Sequence, residues 1–404
     1  MKRFVIFNWT ILCLTFGWGS VFAVEPSSTS EIVLGMSTVL TGPAANLGKD
    51  MRRGVLTGLE RANRAGGVNG HQLRLVALDD GYEPSRTGPN MRQLIEKENV
   101  LAVVGNVGTP TAIVALPIAD DQKTLFFAPF SGAGVLRNSS PDRYVINFRA
   151  SYADETGAMV DALVEGAGLK PEDIAFFTQR DAYGDAGFSG AIAALKRHGL
   201  QDDNSLLHVR YERNTLAVES AVASLVVAKH TPRAIVMVGT YLPCAKFIKL
   251  CRAADIQTLF LNVSFVGTNP LAKELGQTDA RVIVTQVVPH PLDTSQPIVR
   301  DYLADLHVLE PSAEPGFSDL EGYIATRIFL KALATIKGNP TRETIIDALD
   351  NLGTFDLGLG QPLHLSSTDH QACDHVWPTI LKGGAFVSFS WTELIELSKK
   401  ESVP

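Results

Sequence analysis

The stretch Leu-Ala-Val-Val-Gly-Asn-Val-Gly-Thr, residues 101–109, decides the fold of this chain. Its first four residues are apolar without alternation, which is typical of a parallel strand that is covered on both faces. The residues that follow break this strand and lead into a helix. In open parallel sheets, such turns at the carboxyl ends of strands are where ligands bind. The stretch therefore predicts a parallel α/β sheet with a candidate binding turn at residues 106–111.

Short apolar strands alternate with longer amphipathic helices on both sides of this stretch, which is the pattern of successive βαβ units. The strand at 125–129 ends in Phe-Ser-Gly-Ala, residues 130–133, and repeats the strand-to-helix arrangement. The first unit is predicted to contain strands at 32–36, 72–78, 102–105 and 125–129 and helices at 49–65 and 85–98.

The same alternation restarts after Arg149 and predicts a second doubly wound unit. Residues 289–291, Pro-His-Pro, indicate a crossing linker after it, and helices at 318–337 and 341–352 are expected to return to the first unit. Two such lobes, joined by several crossings, enclose a cleft whose width can change by hinge rotation. The second unit is predicted to contain strands at 174–178, 206–211, 234–238, 259–263 and 282–285 and helices at 154–165, 187–198, 218–229 and 243–254.

Length and composition agree with two globular domains. The chain has 404 residues, of which 45% are hydrophobic and 20% are charged, so two cores of about 150 residues each are possible. The formal net charge is -7, and no cluster of basic residues forms a face for nucleic acid. These features argue against a nucleic-acid partner.

The first 23 residues have the pattern of an export signal. Lys2 and Arg3 supply positive charge, an apolar stretch follows, and Val-Phe-Ala at 21–23 resembles a cleavage site. The alternative is an uncleaved membrane anchor, but polar residues and glycines interrupt an apolar stretch that is already short for a span of about 20 residues. The pattern favours cleavage near Ala23, and no later segment is apolar enough to span a bilayer.

The four cysteines leave the disulfide question open. Cys13 lies in the export signal, so Cys244, Cys251 and Cys373 remain. Cys244 and Cys251 are seven residues apart on a predicted helix, which separates them by about 10 Å, too far for a disulfide. If one bridge forms, Cys373 must be half of it. The other possibility is three buried free thiols.

No catalytic, cofactor or metal motif stands out in the chain. His370, Cys373 and His375 are close together in sequence, but their spacing fits no standard zinc site and is more typical of a turn. No Ser/His/Asp or Cys/His pairing is evident, although such groups can be assembled in space. The sequence therefore favours a binding protein without a cofactor over an enzyme.

Five motifs follow one another along the chain: Met-Ser-Thr-Val-Leu-Thr-Gly-Pro at 36–43, Ala-Gly-Gly-Val-Asn-Gly at 65–70, Asp-Asp-Gly-Tyr at 79–82, Val-Gly-Asn-Val-Gly-Thr at 104–109 and Ala-Tyr-Gly at 182–184. In their order and spacing, these motifs resemble type I periplasmic solute-binding proteins of the leucine/isoleucine/valine-binding type, which feed ABC transporters. The resemblance covers nearly the whole chain after the export signal.

This resemblance implies two flavodoxin-like doubly wound lobes joined by a three-crossing hinge. Residues 31–149 plus 287–357 would form the N-terminal lobe, and residues 150–286 plus 358–404 the C-terminal lobe. A small organic ligand would be held between them by hinge closure in the periplasm and delivered to an inner-membrane ABC permease. The alternative is a sensor subunit that presents its closed form to a signalling partner or to another transport machine.

The resemblance also implies a carboxylate site. In amino-acid-binding relatives, hydroxyls and backbone N–H groups hold the ligand's carboxylate on the turns that here contain Thr109 and Ser131-Gly132. Both turns fall where helices follow strands, and N–H groups converge on an anion at such places. The simpler alternatives are that Thr109 is only a helix cap and that Ser131-Gly132 is an ordinary turn.

Aromatic and loop residues complete the site that the resemblance implies. Tyr183, after the Ala-Tyr-Gly strand, and Tyr241, on the next strand-end turn, would face the ligand; either could instead be a core tyrosine bonded to the backbone. Asn46 and Leu47 would lie on the loop that closes over the ligand, and the alternative is an ordinary solvated loop.

The turn at 262–267 departs from the relatives' pattern. Relatives place there an acidic residue that pairs with the ligand's amino group, but this turn has Ser264 and no carboxylate. A hydroxyl compensates poorly for an ammonium group removed from water. With Phe130 and Phe265 near the predicted cleft, the sequence favours an apolar or aromatic carboxylate without an amine, and weak or no binding of leucine.

Overall fold

The structure, a computed structural model, describes Met1, residues 4–5 and residues 30–394. The predicted cleavage site near Ala23 and most of the export signal lie outside the described residues. Within that part of the chain, every helix is too short or too polar to span a membrane.

In the described residues, fourteen strands form two main sheets and one small ribbon. The first sheet has the order β2-β1-β3-β4-β5 and is wholly parallel. The second has the order β14-β13-β10-β9-β8-β6-β7, in which β6 to β10 are parallel and β13 and β14 are antiparallel additions. Strands β11 and β12 pair separately. The bounds are β1 Glu31–Thr38, β2 Gln72–Asp79, β3 Ala102–Val104, β4 Leu125–Phe127, β5 Val145–Ile146, β6 Ile174–Gln179, β7 His208–Tyr211, β8 Ala234–Val238, β9 Leu259–Asn262, β10 Arg281–Gln286, β11 Gly353–Phe355, β12 Leu363–Leu365, β13 Trp377–Lys382 and β14 Ala385–Ser388.

Eleven α-helices cover these sheets in the described part of the chain, and short π-helical turns extend α2 and α4. The two sheets with their helices form two lobes, so the prediction of a two-lobed α/β protein with parallel sheets is confirmed. The bounds are α1 Ala45–Arg64, α2 Pro84–Arg92, α3 Thr109–Asp121, α4 Tyr152–Asp161, α5 Ala182–Arg197, α6 Glu219–Val226, α7 Tyr241–Ala253, α8 Thr268–Leu275, α9 Pro297–Leu309, α10 Phe317–Leu333 and α11 Arg342–Asp350.

Several helices start earlier than the sequence predicts, and in α1, α5 and α7 this changes the setting of site residues; Tyr241, predicted on a turn, is the first residue of α7. Helix α1 begins at Ala45, so Asn46 and Leu47 lie in its first turn and not on a loop, and Leu47 is buried. Its start lacks a side-chain cap, which removes the usual sequence signal. Helix α5 begins at Ala182, because Asp181 accepts a hydrogen bond from the Tyr183 N–H at 3.0 Å. Tyr183 is therefore helical, and Ala-Tyr-Gly is not a strand.

The late helix α10 packs against α1 in the first lobe, as the sequence predicts. Glycines allow this close approach. A Cβ atom at Gly54 would lie 1.9 Å from the carbonyl oxygen of Asp319, and one at Gly58 would lie 2.6 Å from Cγ2 of Thr326. The chain thus returns from the second sheet to complete the first lobe. The sequence does not predict helices α8 and α9 or strands β5 and β11 to β14.

The three described cysteines are all buried and free. Burial raises the pKa of the Cys251 thiol to about 12 and that of Cys373 to about 11. Of the two possibilities that the sequence left open, the structure has the free thiols.

Candidate ligand-binding site between the lobes

The two predicted binding turns meet at the carboxyl edge of the first sheet. Gly108 N donates to the Phe130 carbonyl at 3.2 Å, and Phe130 N donates to the Asn106 carbonyl at 2.8 Å, which ties the turn after β3 to the turn after β4. As a result, the buried hydroxyls of Thr109 and Ser131 lie 2.8 Å apart. The structure therefore brings together the residues that the sequence proposed for a carboxylate.

Helix α3 begins at this hydroxyl pair. The cap position of this helix is Gly108, which has no side chain that could cap it, and the Thr109 hydroxyl bonds to Ser131. The first N–H groups of a helix have no partner within the helix and favour an anion. Ser131 Oγ accepts from Ala133 N at 3.3 Å, so it also stabilises its own turn. We call Thr109, Ser131 and the backbone of Gly132 the hydroxyl nest.

Two tyrosines that the sequence analysis did not identify pack on the glycines of these turns. Gly108 has a φ of 106°, and a Cβ atom there would lie 2.1 Å from Cε2 of Tyr82. A Cβ atom at Gly132 would lie 2.6 Å from Cδ1 of Tyr152. The Asp-Asp-Gly-Tyr motif offered a signal for Tyr82, whereas no local motif indicated Tyr152.

A cluster of aromatic side chains joins the two lobes beside the hydroxyl nest. The Phe265 ring, on the turn after β9, has its centroid 4.7 Å from that of Tyr183 and 5.1 Å from that of Phe130. Tyr82 and Tyr152 complete the cluster at 6.1 and 6.4 Å. All five side chains are buried. The first lobe contributes Tyr82 and Phe130, so the cluster is an apolar seam between the lobes.

Ser264 belongs to a buried ionic network and is not a free hydroxyl. It donates from N to Glu155 Oε2 at 2.7 Å and from Oγ to Glu155 Oε1 at 3.0 Å. Thr285 donates to the same carboxylate at 2.6 Å. The turn itself lacks an acid, as the sequence showed, but helix α4 brings Glu155 to it. Sequence analysis missed this carboxylate because it lies 109 positions from Ser264.

Arg149 neutralises part of this network. It is 1% exposed, and its Nη2 donates to Glu155 Oε1 at 3.1 Å and to Ser264 Oγ. Its Nη1 lies 3.5 Å from Oε1 of Glu321, a buried residue of α10. Burial raises the pKa of Glu321 to about 7, although the charge of Arg149 opposes the rise.

Several polar atoms in this region have no hydrogen-bond partner among the described residues. They are Nε and Nη1 of Arg149 and the Tyr152 hydroxyl. The Arg149 guanidinium lies 5.1 Å from the Phe130 ring centroid and 5.8 Å from that of Tyr152. Unpaired donors in a buried site cost free energy, so they mark a place where an acceptor would bind.

Three other predicted site residues, Asn46, Leu47 and Tyr241, lie at a second contact between the lobes. Asn46 N donates to the Tyr241 hydroxyl at 3.4 Å. A Cβ atom at Gly267 would lie 2.7 Å from Cδ2 of Leu47 and 3.2 Å from Cδ1 of Tyr241. The Tyr183 hydroxyl, by contrast, donates to the Gly239 carbonyl at 3.3 Å. Tyr183 thus has both the seam contact of its ring and the backbone bond of a core tyrosine.

A groove of about 650 Å³ opens beside the hydroxyl nest, between the segment 109–137 and helices α4 and α5. Thr109 and Gly132 line it together with apolar residues that include Ile113, Val135 and Ala186. Its walls come from both lobes. An apolar portion of a ligand held at the nest would meet this surface.

The cluster that resembled a metal site in the sequence has other partners. His370 Nε2 is 3.0 Å from Asp350 Oδ1, and its Nδ1 is 2.8 Å from the Val145 carbonyl oxygen. Within the described ranges, no three His, Cys, Asp or Glu side chains are placed to hold a metal ion.

Comparison with known proteins places this geometry in a family. The sequence model of the periplasmic binding proteins matches residues 31–385. A solved structure of a possible leucine/isoleucine/valine-binding protein from Rhodopirellula baltica is 48% identical, with a TM-score of 0.88, and the match covers 92% of this chain and 99% of that one.

Two curated relatives from Pseudomonas aeruginosa are more distant. An amino acid binding protein is 24% identical over 267 residues, which cover 64% of this chain and 67% of the relative. A leucine-, isoleucine-, valine-, threonine- and alanine-binding protein is 28% identical over 208 residues, 45% of this chain and 54% of the relative. The family model, the two lobes and their parallel sheets agree, and the chain therefore belongs to the periplasmic binding protein family, with the type I fold of its leucine/isoleucine/valine-binding members.

Proposed function

We propose that this protein captures a small carboxylate with an apolar or aromatic body between its lobes and delivers it to an ABC permease of the inner membrane. The observation that carries the proposal is the hydroxyl nest of Thr109, Ser131 and Gly132 at the start of α3, directly beside an apolar seam. Hydroxyls and helix N–H groups suit a carboxylate, and buried rings suit an apolar body.

The electrostatics of the seam argue against an amino acid. A ligand ammonium would require an available carboxylate, but both oxygens of Glu155 already accept from Ser264, Thr285 and Arg149. Arg149 adds a fixed positive charge at the same place. Desolvating an ammonium without a partner is costly. We therefore keep the prediction that leucine binds weakly or not at all.

The mechanism would be hinge closure. A ligand that contacts both lobes stabilises the closed arrangement by its differential affinity for it. The lobes would comprise residues 31–149 plus 287–357 and residues 150–286 plus 358–404. The first sheet and the packing of α10 on α1 support the first set, and the pairing of β13 with β10 supports the second.

Export and delivery complete the proposal. Residues 1–23 would direct the chain to the periplasm and be removed near Ala23. The match to the periplasmic binding family supports this destination. We propose no enzymatic activity, cofactor or metal.

A calorimetric comparison tests the ligand class. The exported protein is unfolded and refolded to remove carried-over ligand and titrated with leucine, 4-methylpentanoate, 3-phenylpropanoate and the matching amide of the last. We expect the carboxylates to bind and to raise the melting temperature, and leucine and the amide to bind much more weakly. Tight binding of leucine, or no binding of any carboxylate, would overturn the proposed ligand class.

Delivery needs a separate test. The ligand-loaded protein is incubated with inner membranes of its own source, cross-linked, and its partners are identified. Capture of an ABC permease supports delivery. Capture of a signalling receptor alone would indicate that the protein is a sensor subunit and does not serve a permease.

A further inference from the structure

The side chain of Arg149 is the buried group that the carboxylate site described so far does not use. It lies on the crossing segment between β5 and α4, where the two lobes join. Its main chain is held next to the hydroxyl nest by Arg137, whose Nη1 donates to the Ser131 carbonyl at 3.2 Å and whose Nη2 donates to the Arg149 carbonyl at 3.0 Å. The main chain of Arg149 therefore lies beside the position proposed for the ligand's carboxylate.

The guanidinium of Arg149 is only partly satisfied by the described residues. Nη2 has two acceptors, Nη1 forms an ion pair with Glu321 at 3.5 Å without a hydrogen bond, and Nε has no acceptor. The side chain is 1% exposed, so bulk water does not solvate these donors. A buried donor of a charged group without an acceptor costs more than a neutral one. Folding tolerates such a group most readily where a ligand supplies the acceptor.

The surroundings determine what kind of ligand atom fits there. A guanidinium carries five N–H donors and no acceptor, and the nearby Tyr152 hydroxyl has no hydrogen bond of normal geometry among the described residues. The Phe130 and Tyr152 rings flank the guanidinium and exclude a bulky hydrated group. An oxygen acceptor meets these conditions, whereas an ammonium group would face like charge.

We propose that Arg149 binds an oxygen acceptor adjacent to the ligand's carboxylate, so that the ligands of this protein are 2-oxo carboxylic acids with an apolar or aromatic body. This inference rests on the proposed function and specifies its substrate class. Arg149 then acts as a specificity-determining residue that accepts a 2-oxo group and rejects a 2-amino group.

Two sets of compounds test this inference with the wild-type protein. Phenylpyruvate, 3-phenylpropanoate and phenylalanine share one skeleton and differ at carbon 2, and so do 4-methyl-2-oxopentanoate, 4-methylpentanoate and leucine. In each set we expect the oxo acid to bind about ten- to hundredfold more tightly than the unsubstituted acid, the range for a hydrogen bond to a charged group. The amino acid should bind most weakly.

Variants locate the effect at Arg149. Arg149→Met should abolish the preference for the oxo acid while the unsubstituted acid keeps measurable affinity. Because this change leaves Glu155 and Glu321 without a cation, Arg149→Lys is made as well; it keeps the charge but loses the planar donors and should reduce the preference about tenfold. Arg143→Gln, on the surface beside α11, is the control for loss of an arginine.

The outcomes separate the two proposals. If unsubstituted acids bind but the oxo acids gain nothing, or if the preference survives in both Arg149 variants, the inference on Arg149 fails and the carboxylate-binding function stands. If no carboxylate of either set binds, the proposed function fails and the inference falls with it.

Discussion

Arg213 Nη2 donates to Glu83 Oε2 at 2.9 Å and joins the loop after β7 in the second lobe to the loop before α2 in the first. Asn214 Nδ2 donates to the other oxygen of Glu83 at 2.6 Å and to the Gly81 carbonyl at 3.1 Å. A second bond, from Arg213 Nη1 to Asp181 at 3.2 Å, fixes the arginine. Glu83, Arg213 and Asn214 form a rim clasp that closes the lobes over the aromatic seam.

Breaking the rim clasp should speed ligand release. Glu83→Gln removes the charge that holds Arg213, and because the pair is partly exposed we expect a loss of about 1 kcal/mol, or a dissociation rate about fivefold faster. Stopped-flow measurement of ligand dissociation checks this. The wild-type rate should rise with salt, and the variant's rate should respond less. Glu31→Gln, which breaks an exposed pair within the first sheet, should leave the rate unchanged.

Removing the hydroxyls of the nest should weaken carboxylate binding. Thr109→Val keeps the shape of the side chain but removes its hydroxyl, and we expect about tenfold lower affinity because a hydrogen bond to a charged acceptor is lost. Thr109→Ser should retain most of the affinity. Calorimetry measures both, and circular dichroism verifies the fold. Equal affinity of the valine variant and the wild type would show that the Thr109 hydroxyl does not contribute to carboxylate binding.

Glu321 should make the protein less stable as the pH rises. Its pKa is about 7 in the folded state and 4.5 without burial, so the folded state binds the proton more tightly. The resulting stability is complete below pH 4.5 and is lost as the pH rises through 7; it amounts to roughly 3 kcal/mol. Glu321→Gln should flatten the fall in unfolding free energy between pH 5 and 8. Some pH dependence of the unfolding free energy should remain in the variant, because burial also raises the pKa values of Asp50 and Asp319.

The glycines between α1 and α10 should tolerate no added methyl group. Gly58→Ala places a Cβ atom 2.6 Å from Thr326 Cγ2, and we expect a loss of about 1 to 3 kcal/mol from overpacking. Chemical denaturation provides the measurement. Gly134→Ala is the matched control, since nothing lies within 4 Å of its added Cβ and its φ is not positive. Equal stability of the Gly58 variant and this control would contradict the packing argument.

Thiol titration should test both the buried cysteines and the export signal. In the native protein we expect slow reaction with a thiol reagent, because burial raises the pKa of Cys244, Cys251 and Cys373 and limits access to their sulfur atoms. After denaturation, three reactive thiols per chain indicate removal of Cys13 with the signal. Four would mean that the signal is retained, and fewer than three would indicate a disulfide.

Local sequence patterns were sufficient for most of the fold. Strand β3 was predicted because its unbroken apolar run reflects burial on both faces, a property that each strand carries in its own residues. Helix starts were less predictable. Ala45 begins α1 without a side-chain cap, so no local signal marks the start, and the sequence predicts a loop at Asn46 and Leu47.

The sequence by itself determined the two-lobed α/β fold and the two turns of the hydroxyl nest, since strand ends and the turns that follow them are encoded by neighbouring residues. Only the tertiary structure decided the charges around that nest. Ser264 accepts a hydrogen bond from Arg149, which is 115 positions away in sequence, and donates one to Glu155, which is 109 positions away. Contacts between segments so far apart in sequence depend on how the crossings join the lobes, and hydrophobic periodicity does not predict them. The buried cation that we assign to ligand recognition therefore became visible only in the folded chain.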